Sequence, residues 1–124
     1  MTRARILVVD EERWTEAPLK RSLSMVGYQV RNDACESALA HLDVWRPHLV
    51  FIDRSTPNRA GIELCRRVRA RTRIPIVVLA ARDLEPEDRA QLNGHVNVVL
   101  ERSRFSTTDI LAELHRVIGA RTVS

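Results

Sequence analysis

Aromatic residues make up only 4% of this 124-residue chain, so the stacking surfaces on which single-stranded nucleic-acid binding relies are largely missing. Cysteine is as sparse. Cys35 and Cys65 stand far apart with no CxxC and no Cys/His spacing, so reduced, partly packed thiols are expected and not a metal centre or a disulfide. The four histidines, His41, His48, His95 and His115, are equally scattered. No apolar run approaches the roughly 20 residues a membrane helix needs. The amino end, MTRARILVVD, enters a strand-like segment without the apolar stretch and cleavage site of a signal peptide. A cytoplasmic location with no membrane association is therefore expected. Internal repeats and low-complexity tracts are absent as well, and only ARTVS at the end reads as loose. One domain over 1–124 is expected, with 119–124 as the start of a linker.

What is present suits a globular core: 44% of the residues are hydrophobic and 29% charged. Twenty basic against sixteen acidic residues leave a net charge of +4 and a pI near 10.0, carried almost wholly by arginine. The densest basic run, RRVRARTR over 66–73, falls at the end of a helical pattern, where cations complement the negative end of the helix dipole. With no aromatic residue interleaved, a solvated basic face outweighs a nucleic-acid surface as its explanation.

The runs RILVVD (5–10), HLVFID (48–53), IPIVVLA (74–80) and VNVVL (96–100) are short and rich in Val, Ile and Leu, the pattern of buried parallel strands. YQVRN (28–32) alternates as an edge strand would. Helical spacing appears between them, at Leu19, Leu23 and Val26; at Ala38, Leu39 and Leu42; at Ile62, Cys65 and Val68; and finally at Ile110, Leu114 and Val117. A shorter helix is predicted from Glu85 to Leu92, opened by Pro86 and stopped by Asn93 and Gly94. Pro18 would break a helix starting near residue 13, so the first helix is expected to begin later, with Thr15 as N-cap and Pro18 in the first turn. Five strands alternating with five helices imply an α/β fold, a doubly wound parallel sheet covered on both faces.

Ligands of such sheets sit beyond the carboxyl ends of the strands. The first strand ends in Asp10, followed by Glu11 and Glu12, and the third ends in Asp53. With strands one and three as neighbours, Asp10, Glu11 and Asp53 would converge, and like charges at one edge call for a cation. Hard oxygen ligands of that kind suit Mg²⁺. Strand-end acids are also common for a plainer reason, since Glu11 and Glu12 favour the positive start of the next helix.

Along nearly its whole length the chain resembles the receiver domain of two-component response regulators. ILVVDEE is similar to that family's acidic-pair strand, and HLVFIDRSTPNRAG to its phospho-acceptor strand and loop. GYQV, ESALAHL, PIVVLAARD and the segment from Gly94 to Leu100 continue the likeness. The resemblance implies a flavodoxin-like sheet in the order 2-1-3-4-5. It implies that Asp53 accepts a phosphoryl group from a sensor histidine kinase or phosphotransfer protein. It further implies that Asp10, Glu11 and Asp53, with the Ser55 backbone carbonyl, hold Mg²⁺. A signalling module, and not a turnover enzyme, is the reading.

Three parts of the family pattern are missing. Ala80 stands where the fourth strand normally ends in Thr or Ser. Glu101 and Arg102 stand where the fifth strand ends in lysine and proline, and sliding the match by two puts Ser103 there instead. Val98 replaces the switch aromatic. Impaired read-out is therefore expected, with Arg82 as a candidate replacement cation and Trp14 beside the acidic edge. The alternatives are a phosphorylation-independent interaction module whose last helix and fifth strand bind a partner or a second copy of the chain, and a nucleic-acid binder using its arginines. A DNA-binding output domain outside this chain would fit the family.

Overall fold

A computed structural model describes residues 4–9, 17–54, 59–80, 85–101 and 104–123, with backbone alone at 17–19, 35–36, 53–54, 59–60 and 120–123. The order is β1 (Arg5–Val9), α1 (Ala17–Met25), β2 (Gln29–Asp33), α2 (Cys35–Trp45), β3 (Leu49–Arg54), α3 (Arg59–Arg71), β4 (Ile76–Ala80), α4 (Pro86–Asn93), β5 (Val98–Glu101) and α5 (Thr107–Val123). All strand pairs are parallel, in the order β2-β1-β3-β4-β5.

Strand alternation sorts the core into two layers. Leu7, Val9, Val50, Ile52, Ile76, Val78 and Ala80 pack against residues of α2, α3 and α4. Ile6, Val8, Leu49, Phe51, Val77 and Leu79 pack against Leu23 of α1 and Ile110, Leu114 and Val117 of α5. The central strands are sealed on both faces, which is why they read as unbroken apolar runs. β2 is half-exposed, as an edge strand should be.

Helix boundaries follow local chemistry. α1 begins at Ala17 and puts Pro18 in its first turn, as the proline demands, while Thr15 lies outside the described residues. Gly27, at φ +105°, closes the turn into β2. Arg46 takes the same left-handed region (φ 53°) at the end of α2 without being glycine. The Arg5 guanidinium steadies it by donating to the Trp45 and Arg46 carbonyls at 3.0 and 2.7 Å. α5 opens on a reciprocal capping pair, the Ser106 hydroxyl accepting from Asp109 N–H while the Asp109 carboxylate accepts from Ser106 N–H, both at 3.1 Å. The final residues, expected to be loose, instead continue α5 to Val123.

Candidate functional site

Helices that follow parallel strands leave the carboxyl edge of the sheet open, and the site is built there. β1 stops at Val9, whose partner on β3 is Ile52. Asp53 is the next residue along β3, in register with Leu79; Arg54 follows, in register with Ala80, which pairs in turn with Glu101. The nucleophile candidate and two of the departing positions, Ala80 and Glu101, thus share one strand-end row or the row before it. Asp10, Glu11, Ser55 and Arg82 lie outside the described residues, as does Trp14, and Asp53 is described by its backbone alone.

Ala80 is the last residue of β4 and 1% exposed, a methyl group at a sealed strand end with no hydroxyl to offer. Val98 opens β5, three residues before Glu101, and is half-buried against the α1/α5 layer. No aromatic ring stands there to swing between buried and exposed positions.

Glu101 is a paired carboxylate. Its Oε1 accepts from the Arg89 Nη2 of α4 at 2.7 Å, with the glutamate side chain 12% and the arginine 41% exposed. α4 runs back from the carboxyl edge as a crossover helix must, so its first turns lie at that edge. Arg89 is one turn before Leu92, which packs on the sheet face that Ala80 also faces. Nothing in the sequence pointed to Arg89, a charged residue on a short helix whose partner is twelve positions away.

A further acid at this edge was also missed. Asp33 ends β2 in register with Val9. It is tied to its own crossover, accepting from Ala34 N–H at 3.0 Å, from the Ser37 hydroxyl and from the His41 ring. Burial pushes its carboxyl pKa up, but these hydrogen bonds outweigh it and the net shift is downward. Its side chain is 8% exposed, so it anchors the start of α2 and does not open to the site.

The arginine run is a solvated face at Arg66, Arg67 and Arg71 and turns inward at Arg69. Arg69 donates to the His95 and Ile74 carbonyls at 2.9 Å and to the Asn97 side chain at 3.1 Å, pinning the loops before β4 and β5. Arg71 pairs with Asp43, and Arg66 and Arg67 share Glu63, whose pKa their hydrogen bonds lower to about 2. A cleft of about 410 Å³ lined by Leu42, Arg46, Pro47, Arg71, Thr72 and Ile74 lies at the amino edge, away from Asp53. Among the described residues, no helix is long and apolar enough to cross a membrane.

Comparison with known proteins agrees with this geometry. Residues 6–114 match the family model of the response regulator receiver domain. The chain is 35% identical over 118 residues to response regulator MprA of Mycobacterium sp. (strain KMS), covering 92% of this chain and 50% of that protein. It is 36% identical over 121 residues to MprA of Mycolicibacterium vanbaalenii, covering 95% and 52%. The chain therefore spans about half the length of the curated relatives it matches. Among solved structures, a CheY-like receiver domain protein from Methanospirillum hungatei JF-1 superposes with a TM-score of 0.84 at 19% identity over 98% of both chains. The chemotaxis response regulator CheY4 of Vibrio cholerae gives 0.78 at 26% identity, covering 94% of this chain and 99% of that one. With Asp53 at the carboxyl end of β3, the 2-1-3-4-5 order and a family match over most of its length, this chain belongs to the response regulator receiver domains of two-component signalling.

Proposed function

We propose that this receiver accepts a phosphoryl group on Asp53 and transmits the change weakly. The observation that carries the reading is the place of Asp53, one residue before the end of β3, at the open carboxyl edge of the sheet. A carboxylate oxygen of Asp53 would attack phosphorus in line. The P–N bond of a donor phosphohistidine breaks, the imidazole leaves with the electron pair and takes up a proton, and an acyl phosphate remains. Asp10, Glu11 and Asp53, with the Ser55 backbone carbonyl, would hold Mg²⁺, which when bound neutralises the phosphoryl oxygens.

Weak transmission rests on Ala80 and Val98. A ligand shifts a two-state equilibrium only through contacts it makes better in one state. A methyl group gives a phosphoryl oxygen no hydrogen bond, and a packed valine gives the surface no ring to reorient. The donor would be a sensor histidine kinase or phosphotransfer protein in the cytoplasm. The longer relatives are consistent with an output domain beyond this chain. Nucleic-acid binding by the arginine run is disfavoured, because no aromatic residue interleaves it and Arg69 is turned onto backbone carbonyls.

Intact mass after treatment with acetyl phosphate and Mg²⁺ tests the reading. Slow, partial addition of one phosphoryl group, absent from Asp53→Asn, is expected. Addition that persists in Asp53→Asn would place the acceptor elsewhere, and fast, complete addition would contradict a weakened site.

A further inference from the structure

A phosphoryl group at the end of β3 carries close to two negative charges and needs a cation on its β4–β5 side as well as on its metal side. The chain's single lysine, Lys20, lies in α1, which packs on the other layer of the sheet. Positive charge at the β4–β5 end must therefore come from arginine. Among the described side chains at that end, Arg89 is the cation found against a strand terminus, on Glu101. We propose that Arg89 supplies from α4 the phosphoryl-binding charge for Asp53, and that Glu101 is its positioning residue. The inference rests on Asp53 being the phospho-acceptor.

Three observations lead there. First, the row Arg54, Ala80, Glu101 places Glu101 two strands from β3, on the order of 10 Å at about 4.8 Å per strand, and Asp53 is the residue before Arg54. Second, the bond to Glu101 uses the terminal Nη2 alone, so among the described residues the other N–H donors of the guanidinium have no carboxylate partner. Third, exposure is unequal: the Glu101 side chain is 12% exposed, whereas the arginine is 41% exposed and keeps an accessible face. A carboxylate held at a strand end, gripping one corner of a guanidinium, orients the rest of that group. The glutamate cancels one charge of the site, and the arginine restores it with donors directed by the pairing. Glu101 therefore acts as a tether and not as a repelling charge.

Labelling of the intact chain by acetyl phosphate and Mg²⁺, followed by mass over time, tests this in five variants. Arg89→Gln should slow labelling about tenfold, below the roughly hundredfold or more that loss of one buried preorganised donor costs, because the group is part-exposed. Arg89→Lys, which keeps the charge, should recover most of the rate. Glu101→Gln should slow labelling severalfold. Labelling of Arg89→Gln at the wild-type rate overturns the inference, and so does faster labelling of Glu101→Gln, which would mean that the glutamate withholds the arginine. If Arg89→Gln does not fold, the exchange Arg89→Glu with Glu101→Arg keeps the pair and moves the cation to β5. Wild-type or faster labelling then supports the inference and its loss overturns it. Wild-type protein that gains no mass, or gains it equally in Asp53→Asn, removes the phospho-acceptor reading and this inference with it. Labelling that needs Asp53 but ignores Arg89 removes the inference alone.

Discussion

Replacing Ala80 by serine would put back the hydroxyl that the end of β4 lacks, and its energetic effect can be worked in both states. Ala80 is 1% exposed and packed among Val78, Leu92 and their neighbours. In the free protein the new hydroxyl is buried, at a cost of about 1 kcal/mol if its partner is imperfect. With beryllofluoride on Asp53, the same hydroxyl meets a charged acceptor across the β3–β4 register, and a hydrogen bond of that kind contributes about 1.5–3 kcal/mol. The stabilisation conferred by beryllofluoride should therefore be larger in Ala80→Ser than in the wild type by about 2 kcal/mol, roughly thirtyfold in affinity. For a domain of this size that is an extra rise in Tm of roughly 6–10 °C. Differential scanning fluorimetry of both proteins, with and without beryllofluoride and Mg²⁺, reads it directly. An equal beryllofluoride increment in the two would mean that Ala80 is out of reach of the phosphoryl position, and the account of weak transmission would fail at its first step.

Two further outcomes are expected. Asp33 has its pKa lowered in the folded state, so the stability it contributes is fully present above the unfolded carboxylate pKa of about 3.9 and is lost as pH falls through the lower folded value. Asp33→Asn should flatten the acid limb of the stability curve relative to wild type, and an unchanged urea midpoint profile from pH 6 down to pH 3 would contradict it. Mg²⁺ at tenfold over its Kd should stabilise the protein by about 1.4 kcal/mol and alter Trp14 fluorescence, with both effects lost in Asp10→Asn; no response to Mg²⁺ would remove the metal site.

The strands were readable because burial on both faces requires an unbroken run of Val, Ile and Leu, which neither a solvated loop nor a helix with one wet face would carry: RILVVD, HLVFID and IPIVVLA became β1, β3 and β4 within a residue or two. Pro18 fixed the late start of α1 through its missing N–H, a purely local constraint. Asp53 was legible because the strand pattern located its end, and the end is where a parallel sheet exposes its chemistry. Arg89 was not, because its role depends on where the α4 crossover sets down, and the helix has only eight residues to announce itself. Glu101 was half legible for the same reason: its charge was visible but its partner was not. The inward turn of Arg69 was equally hidden, since Arg66, Arg67, Arg69 and Arg71 look alike in sequence and differ only in which face of α3 they occupy. Asp33, at the end of a weak edge strand, had no apolar run to mark it as a strand terminus.

Amide spectra of the free chain and of its beryllofluoride–Mg²⁺ complex bear on both halves of the proposal, a working acceptor and a weak transmission. Shifts confined to the ends of β1 and β3 and the first turns of α4 near Arg89 are predicted, with Val98 and the Ile110 and Leu114 amides of α5 left in place. Large shifts running from Ala80 through Val98 into α5 would show an intact switch and contradict weak transmission, and a spectrum with no shifts at all would show that Asp53 is no acceptor.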